Sequence, residues 1–174
     1  MYDRLGEYDK AILDFSIVVE ANPQFEWGFL DRGIMYLSMK DYEKAIIDFK
    51  KALAIKPNWT MPLTNLGKVY FEQNKFKEAI EYFNEALQSD SKNYLAYQNL
   101  GYLYFVQKEY DLAIENYSKA IDFFPKYYNA IRSRADAKRE KGDFDGYCDD
   151  VHLAAELGDV KAIHHLQTNN ECKK

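Results

Sequence analysis

The chain has 174 residues, 47% hydrophobic and 16% aromatic, with a formal net charge of −5. That supplies ample core material and argues against nucleic-acid binding, which needs a basic stripe able to displace counterions from phosphates. No apolar run approaches the roughly 20 residues that span a bilayer, and no basic region followed by a hydrophobic stretch opens the chain, so no membrane partner is expected and a cytoplasmic location is weakly favoured.

Internal repetition organises the rest. Ala11, Ala45, Ala79 and Ala113 recur at a spacing of 34, as do Gly33, Gly67 and Gly101, then Phe15, Phe49, Phe83 and Tyr117, then Tyr36, Tyr70 and Tyr104. Pro23, Pro57 and Pro125 form a further column, with Ser91 in the vacant place, where the turn should be softer. A fixed period of about 20 to 50 residues marks stacked units that cannot bury their apolar faces alone. The expected product is one elongated domain over 1–174.

In chain order, residues 1–25 form a partial repeat. Met1 and Tyr2 fall one period before Met35 and Tyr36, so the chain is expected to begin inside a first helix, with only the second, roughly Tyr8 to Ala21, complete. Three readings follow: a fragment of a longer protein, an open apolar edge of Ile12, Phe15 and Val19 covered by another molecule, or a frayed cap over residues 1–7. Residues 26–59 show the unit in full. Phe29, Ile34, Tyr36 and Leu37 recur at helical spacing, Met39, Lys40 and Asp41 interrupt, and Tyr42, Ala45, Ile46, Phe49, Ala52 and Leu53 begin a second helix that ends before Pro57. The small Gly33 and Ala45 let helices approach closely while the aromatics fill the remaining space. Residues 60–93 and 94–127 repeat the pattern, and 128–161 is a divergent repeat with Ala135, Lys138 and Tyr147 where glycine, tyrosine and alanine stand elsewhere. Residues 162–174 are expected to form a capping helix over Ala162 to Gln167 and a frayed tail.

Charge separates near the end of the array. Between Lys126 and Lys141 lie six basic residues against two acidic ones, and from Gly142 to Val160 six acidic residues stand with no lysine or arginine. Mutual attraction of two neighbouring helices through exposed pairs explains this, at about 0 to 1 kcal/mol per pair. Cys148 and Cys172 are too few for a disulfide framework and are expected as free thiols. Cys148, His152, His164 and His165 lack the tight paired spacing of a structural zinc site, and no orienting third group or oxyanion loop accompanies Cys148 with His152. Neither a catalytic centre nor a metal or cofactor is therefore expected.

Leu66-Gly67, Tyr70, Phe76, Ala79, Phe83 and Ala86, and again Leu100-Gly101, Tyr104, Tyr110, Ala113, Tyr117, Ala120 and Pro125, resemble the tetratricopeptide repeat pattern. The resemblance implies an all-α fold, a right-handed α-solenoid of stacked antiparallel helix pairs, and a non-catalytic module that binds an extended or helical peptide of a partner protein in its concave groove. By the family's register, the groove residues singled out are Trp27, Leu30, Asn65, Lys68, Phe71, Asn99, Tyr102, Phe105, Arg132 and Arg139. Gln98, Asn129, Ser133 and Asp136 share those registers. Asn65 and Asn99, one period apart, resemble the asparagine ladder of some members, whose carboxamides bond a peptide backbone without reading its sequence. The chaperone-tail clamp is not matched, because Leu30 and Ile34 occupy registers it needs. An acidic ligand segment meeting Arg132 and Arg139 is expected instead, and self-association through the N-terminal edge is the alternative.

Overall fold

The computed structural model describes residues 2–168 and 171–172, with side chains from Glu7 onward. Among the described residues there are ten helices and no strand: α1 (Tyr2–Ala21), α2 (Glu26–Ser38), α3 (Tyr42–Ile55), α4 (Thr60–Glu72), α5 (Phe76–Ser89), α6 (Tyr94–Val106), α7 (Tyr110–Phe123), α8 (Tyr128–Lys141), α9 (Phe144–Glu156) and α10 (Val160–Thr168). The fold class is the all-α stack of antiparallel helix pairs. The chain forms two compact units, residues 1–91 and 92–174.

In the first unit each helix packs on its successor from α1 to α5, and α2 also touches α4. The glycine and aromatic columns interlock here. A Cβ on Gly33 would stand 2.7 Å from the Phe49 ring, so the bare glycine is what lets α2 seat on α3. The second unit repeats the scheme from α6 to α10, with α6 also on α8, and a Cβ on Gly101 would lie 2.6 Å from the Tyr117 ring. One repeat later both columns change together. Ala135 takes the glycine place and Val151 the aromatic one, both buried in one cluster, so a larger residue on α8 faces a smaller one on α9.

The turn within each pair is built alike. Lys40, Asn74, Lys108 and Gly142, one period apart, all adopt positive φ. The next amide in each case bonds back to the fifth residue before it, as Asp41 N–H does to the Tyr36 carbonyl at 2.9 Å. This left-handed closure satisfies carbonyls that a helix end leaves open.

Three expectations are corrected. Helix α1 runs unbroken from Tyr2 through Gly6, the register where Lys40 turns the chain, instead of starting near Tyr8. The backbone stays helical through Gly6, so i to i−4 bonding continues across that register; Met1 lies outside the described residues. Cys148 and Cys172 are not free thiols but a disulfide, because the chain after α10 turns back over α9 and brings their Cα atoms to 5.2 Å. Glu171 and Cys172 accordingly form a turn rather than a frayed end, while Asn169, Asn170, Lys173 and Lys174 lie outside the described residues.

The charge separation between α8 and α9 is realised as ion pairing, but in the interior. Asp150 accepts from Arg134 Nε at 2.9 Å and Nη2 at 2.6 Å and pairs with Lys138 at 3.0 Å. Arg134 Nη1 also donates to Ser118 Oγ at 3.0 Å. The same constellation stands three periods earlier. Arg32 donates to Asp48 at 2.7 and 2.9 Å and to Ser16 Oγ at 3.0 Å. Each arginine thus staples three consecutive helices, and each occupies the register that Leu66 and Leu100 fill in the repeats between.

Candidate functional site

A cavity of about 650 Å³ opens in the second unit, walled by α6, α8, α9 and α10. Helical periodicity sets its walls. Gln98, Asn99 and Tyr102 lie on one face of α6, and Asn129, Arg132, Ser133 and Asp136 lie three to four residues apart on one face of α8. Tyr147 and Val151 come from α9, and Lys161, Ala162 and His165 from α10.

Polar groups in the walls are largely pre-ordered. Arg132 donates to Asn129 Oδ1 at 2.8 Å and reaches Asp159 at 3.5 Å, which holds the guanidinium on the cavity side of α8. Gln98 Nε2 donates to Ser133 Oγ at 3.3 Å, and its Oε1 is a buried acceptor with no partner. Tyr147 Oη and His165 Nε2 share a hydrogen bond of 3.0 Å that ties α10 to α9. Asp150, although it lines the floor, is neutralised by Arg134 and Lys138. Lys161 remains exposed at the rim. Aromatic faces, amides, two cations and the Asp136 carboxylate therefore converge on one concavity, a lining able to bond peptide groups and to meet charged side chains.

Of the groove residues singled out in the sequence, Asn99, Tyr102 and Arg132 line this cavity. Arg139 lies beside it: its guanidinium stands 5.3 Å over the Tyr147 ring and 3.7 Å from Asp136. Phe105 packs on Tyr110 and into a small cluster with Ala113, Tyr117 and Ala137. In the first unit Trp27 stands edge-to-face on Trp59 at 4.6 Å, and Phe71 packs on Phe76 at 5.7 Å. Asn65 and Lys68 are half-buried on α4. Burial pushes the Lys68 ammonium below its ordinary value, against a smaller opposing pull from Glu72. Leu30 is fully buried and belongs to the core, so its place in a ligand surface is corrected. Within the N-terminal edge, Val19 is corrected likewise. Val19 is buried against Gly28 and Ile12 and Phe15 are half-buried, whereas Leu13 is 62% and Ile17 59% exposed, one turn apart on α1.

The contributions of α9 and α10 to the cavity escaped the sequence reading, since α10 lies beyond the last period and carries no repeat register. Among the described residues no group of three histidine, cysteine or acidic side chains converges as a metal site, and no helix is long and apolar enough to cross a membrane.

Comparison with known proteins agrees with this architecture. Two family models, each described as tetratricopeptide repeat, match residues 29–92 and 64–128. A crystal structure of MamA is 28% identical with a TM-score of 0.74, the match covering 91% of this chain and 92% of that one. A crystal structure of MamA protein is also 28% identical, at a TM-score of 0.71 over 91% and 87% of the two chains. A MamA RS-1 ArsTM double mutant, 20% identical with a TM-score of 0.70 over 94% and 88%, shares the fold. No curated protein matches the chain.

Proposed function

Because the chain belongs to the tetratricopeptide repeat family, and so is a protein-interaction module in general, we propose that it is non-catalytic and holds a peptide segment of a partner protein in the cavity between α6, α8, α9 and α10. The observation that carries this reading is the cavity lining: Asn99 and Asn129 offer amides to a peptide backbone, Tyr102 offers an aromatic face, and Arg132 and Lys161 offer cations to an acidic residue. Lining of this kind fits a short segment with alternating apolar and acidic side chains. The chain carries a net charge of −5, and Asp136 stands in the lining beside Arg132 and Lys161, so the two cations would orient an acidic residue within the cavity rather than attract acidic chains at large.

The test is a fluorescence-anisotropy titration of the full chain with a labelled peptide alternating leucine and glutamate. Binding should weaken by about tenfold in an Arg132→Glu, Lys161→Glu variant, with a shallower salt dependence. Asn99→Ala should cost about 1 kcal/mol through lost hydrogen bonding. Undiminished affinity in both variants would remove the cavity from the binding surface.

A second reading, self-association through α1, rests on the exposure of Leu13 and Ile17 on one face of that helix. A second copy of the chain is the partner it proposes.

A further inference from the structure

Helix α10 is the least self-sufficient wall of the cavity. It has nine residues, fewer than an isolated helix needs to persist in water, and it packs on α9. Ala162 is its buried residue, while Val160 is 77% exposed. An N-terminal cap, in which Asp159 Oδ1 accepts from Ala162 N–H at 2.9 Å, and the Tyr147–His165 bond hold its inner face. Beyond its C-terminus the chain is fastened covalently. Cys148 lies on α9 and Cys172 follows α10, so the disulfide closes a loop spanning 24 positions that contains the whole helix. Cys172 is 4% exposed and packs in the same cluster as Tyr147, Val151 and Ala162, three residues of the cavity wall. His152 Nε2 donates to the Cys172 carbonyl at 2.8 Å and fixes the turn on α9.

We infer that the Cys148–Cys172 disulfide is a redox-controlled clasp: oxidised, it keeps α10 docked as a wall of the cavity, and reduced, it releases α10 and dismantles that wall. The control over α10 follows from the loop geometry alone, since cutting the crosslink returns the chain entropy that its closure removed. The consequence for peptide binding rests on the cavity reading given above.

The chemistry is ordinary thiol–disulfide exchange. The Cys148 side chain is partly exposed and the Cys172 side chain is not, so the thiolate of an external dithiol attacks the Cys148 sulfur. The bond between Cys148 and Cys172 breaks, and Cys172 leaves as a thiolate that takes up a proton. The second thiol of the reductant then displaces Cys148 from the mixed disulfide. Two electrons have passed to the protein, which holds two thiols, and the dithiol has become a disulfide. Exchange with a low-molecular-weight disulfide such as oxidised glutathione reverses the sequence.

Hydrogen–deuterium exchange of the full chain tests the clasp, comparing protein equilibrated with oxidised glutathione, protein reduced with a phosphine, and a Cys148→Ser, Cys172→Ser variant. Amides of Val160–Thr168 should exchange about tenfold faster or more in the reduced and variant chains, while those of α2 to α5 stay unchanged. Equal protection of Val160–Thr168 in all three overturns the clasp, as do two free thiols after equilibration with oxidised glutathione. The labelled leucine–glutamate peptide separates the two readings. It should bind the oxidised chain about tenfold more tightly than the reduced one; equal binding despite lost α10 protection overturns the link to the cavity. Binding to neither form, with α10 protection still falling on reduction, rejects the peptide cavity and leaves the clasp standing.

Discussion

Asp48 and Asp150 are each about 2% exposed, and each is held by an arginine through two hydrogen bonds while the same arginine reaches a serine on the preceding helix. Such a group is cheap to keep and expensive to break. Removing water from both charges costs nearly what their attraction returns, so the intact pair adds little net stability, but an arginine left alone in that place keeps the whole desolvation penalty. Asp48→Ala should therefore lower the stability of the first unit by about 3 to 5 kcal/mol. An Arg32→Leu, Asp48→Leu double variant, which restores the leucine found at Leu66 and Leu100, should lie within about 1 kcal/mol of the parent or above it. Urea midpoints of the three chains decide the matter. If Asp48→Ala unfolds at the parent midpoint, the staple is not structural. These residues were invisible as a motif because Arg32 and Arg134 break the leucine column, and a broken column reads as divergence until Ser16, Asp48, Ser118 and Asp150 are seen beside them.

Helix pairs are set by the interlocking of a bare position on the first helix with a ring on the second. The spacing made the columns legible, and small residues against large ones told which helices meet, but not that one ring enters one particular gap. At Ala135 and Val151 both columns are replaced in the same repeat, and the two residues share one buried cluster. Gly101→Ala should consequently destabilise by about 1 to 3 kcal/mol, since its methyl would crowd the Tyr117 ring. In a Tyr117→Val background, which recreates the later pair, the same substitution should cost at least about 1 kcal/mol less. A double-mutant cycle by chemical denaturation reads that difference; strict additivity would mean the contact does not govern the docking of α6 on α7. The turns were less legible. Lys40 and Lys108 adopt a left-handed conformation that lysine does not advertise, and only Asn74 and Gly142 at the same register carry residue types suited to it.

At the scale of the whole chain, the 34-residue period was enough to read the all-α repeat architecture, because each unit is specified by local helical pattern and by contacts with its neighbour. The cavity was half legible: the α6 and α8 faces follow from register, while the α9 and α10 faces depend on a capping segment and a crosslink of 24 positions that no motif announces. The other end of the chain leaves Leu13 and Ile17 on the surface of α1, although the period places Ile12, Phe15 and Val19 on its apolar side. Burying one such side chain is worth about 1.5 to 3 kcal/mol, and bringing two chains together costs an estimated 4 to 15 kcal/mol. Two residues from each copy would therefore support at most a weak complex, to be seen at high protein concentration and lost on dilution. Sedimentation over a dilution series should show a mass that rises with concentration in the parent chain and stays monomeric in a Leu13→Glu, Ile17→Glu variant of unchanged helicity. The variant should still bind the leucine–glutamate peptide, because α1 belongs to the first unit and the cavity is walled entirely by the second. A parent chain that remains monomeric throughout the series would leave α1 without a second copy as its partner.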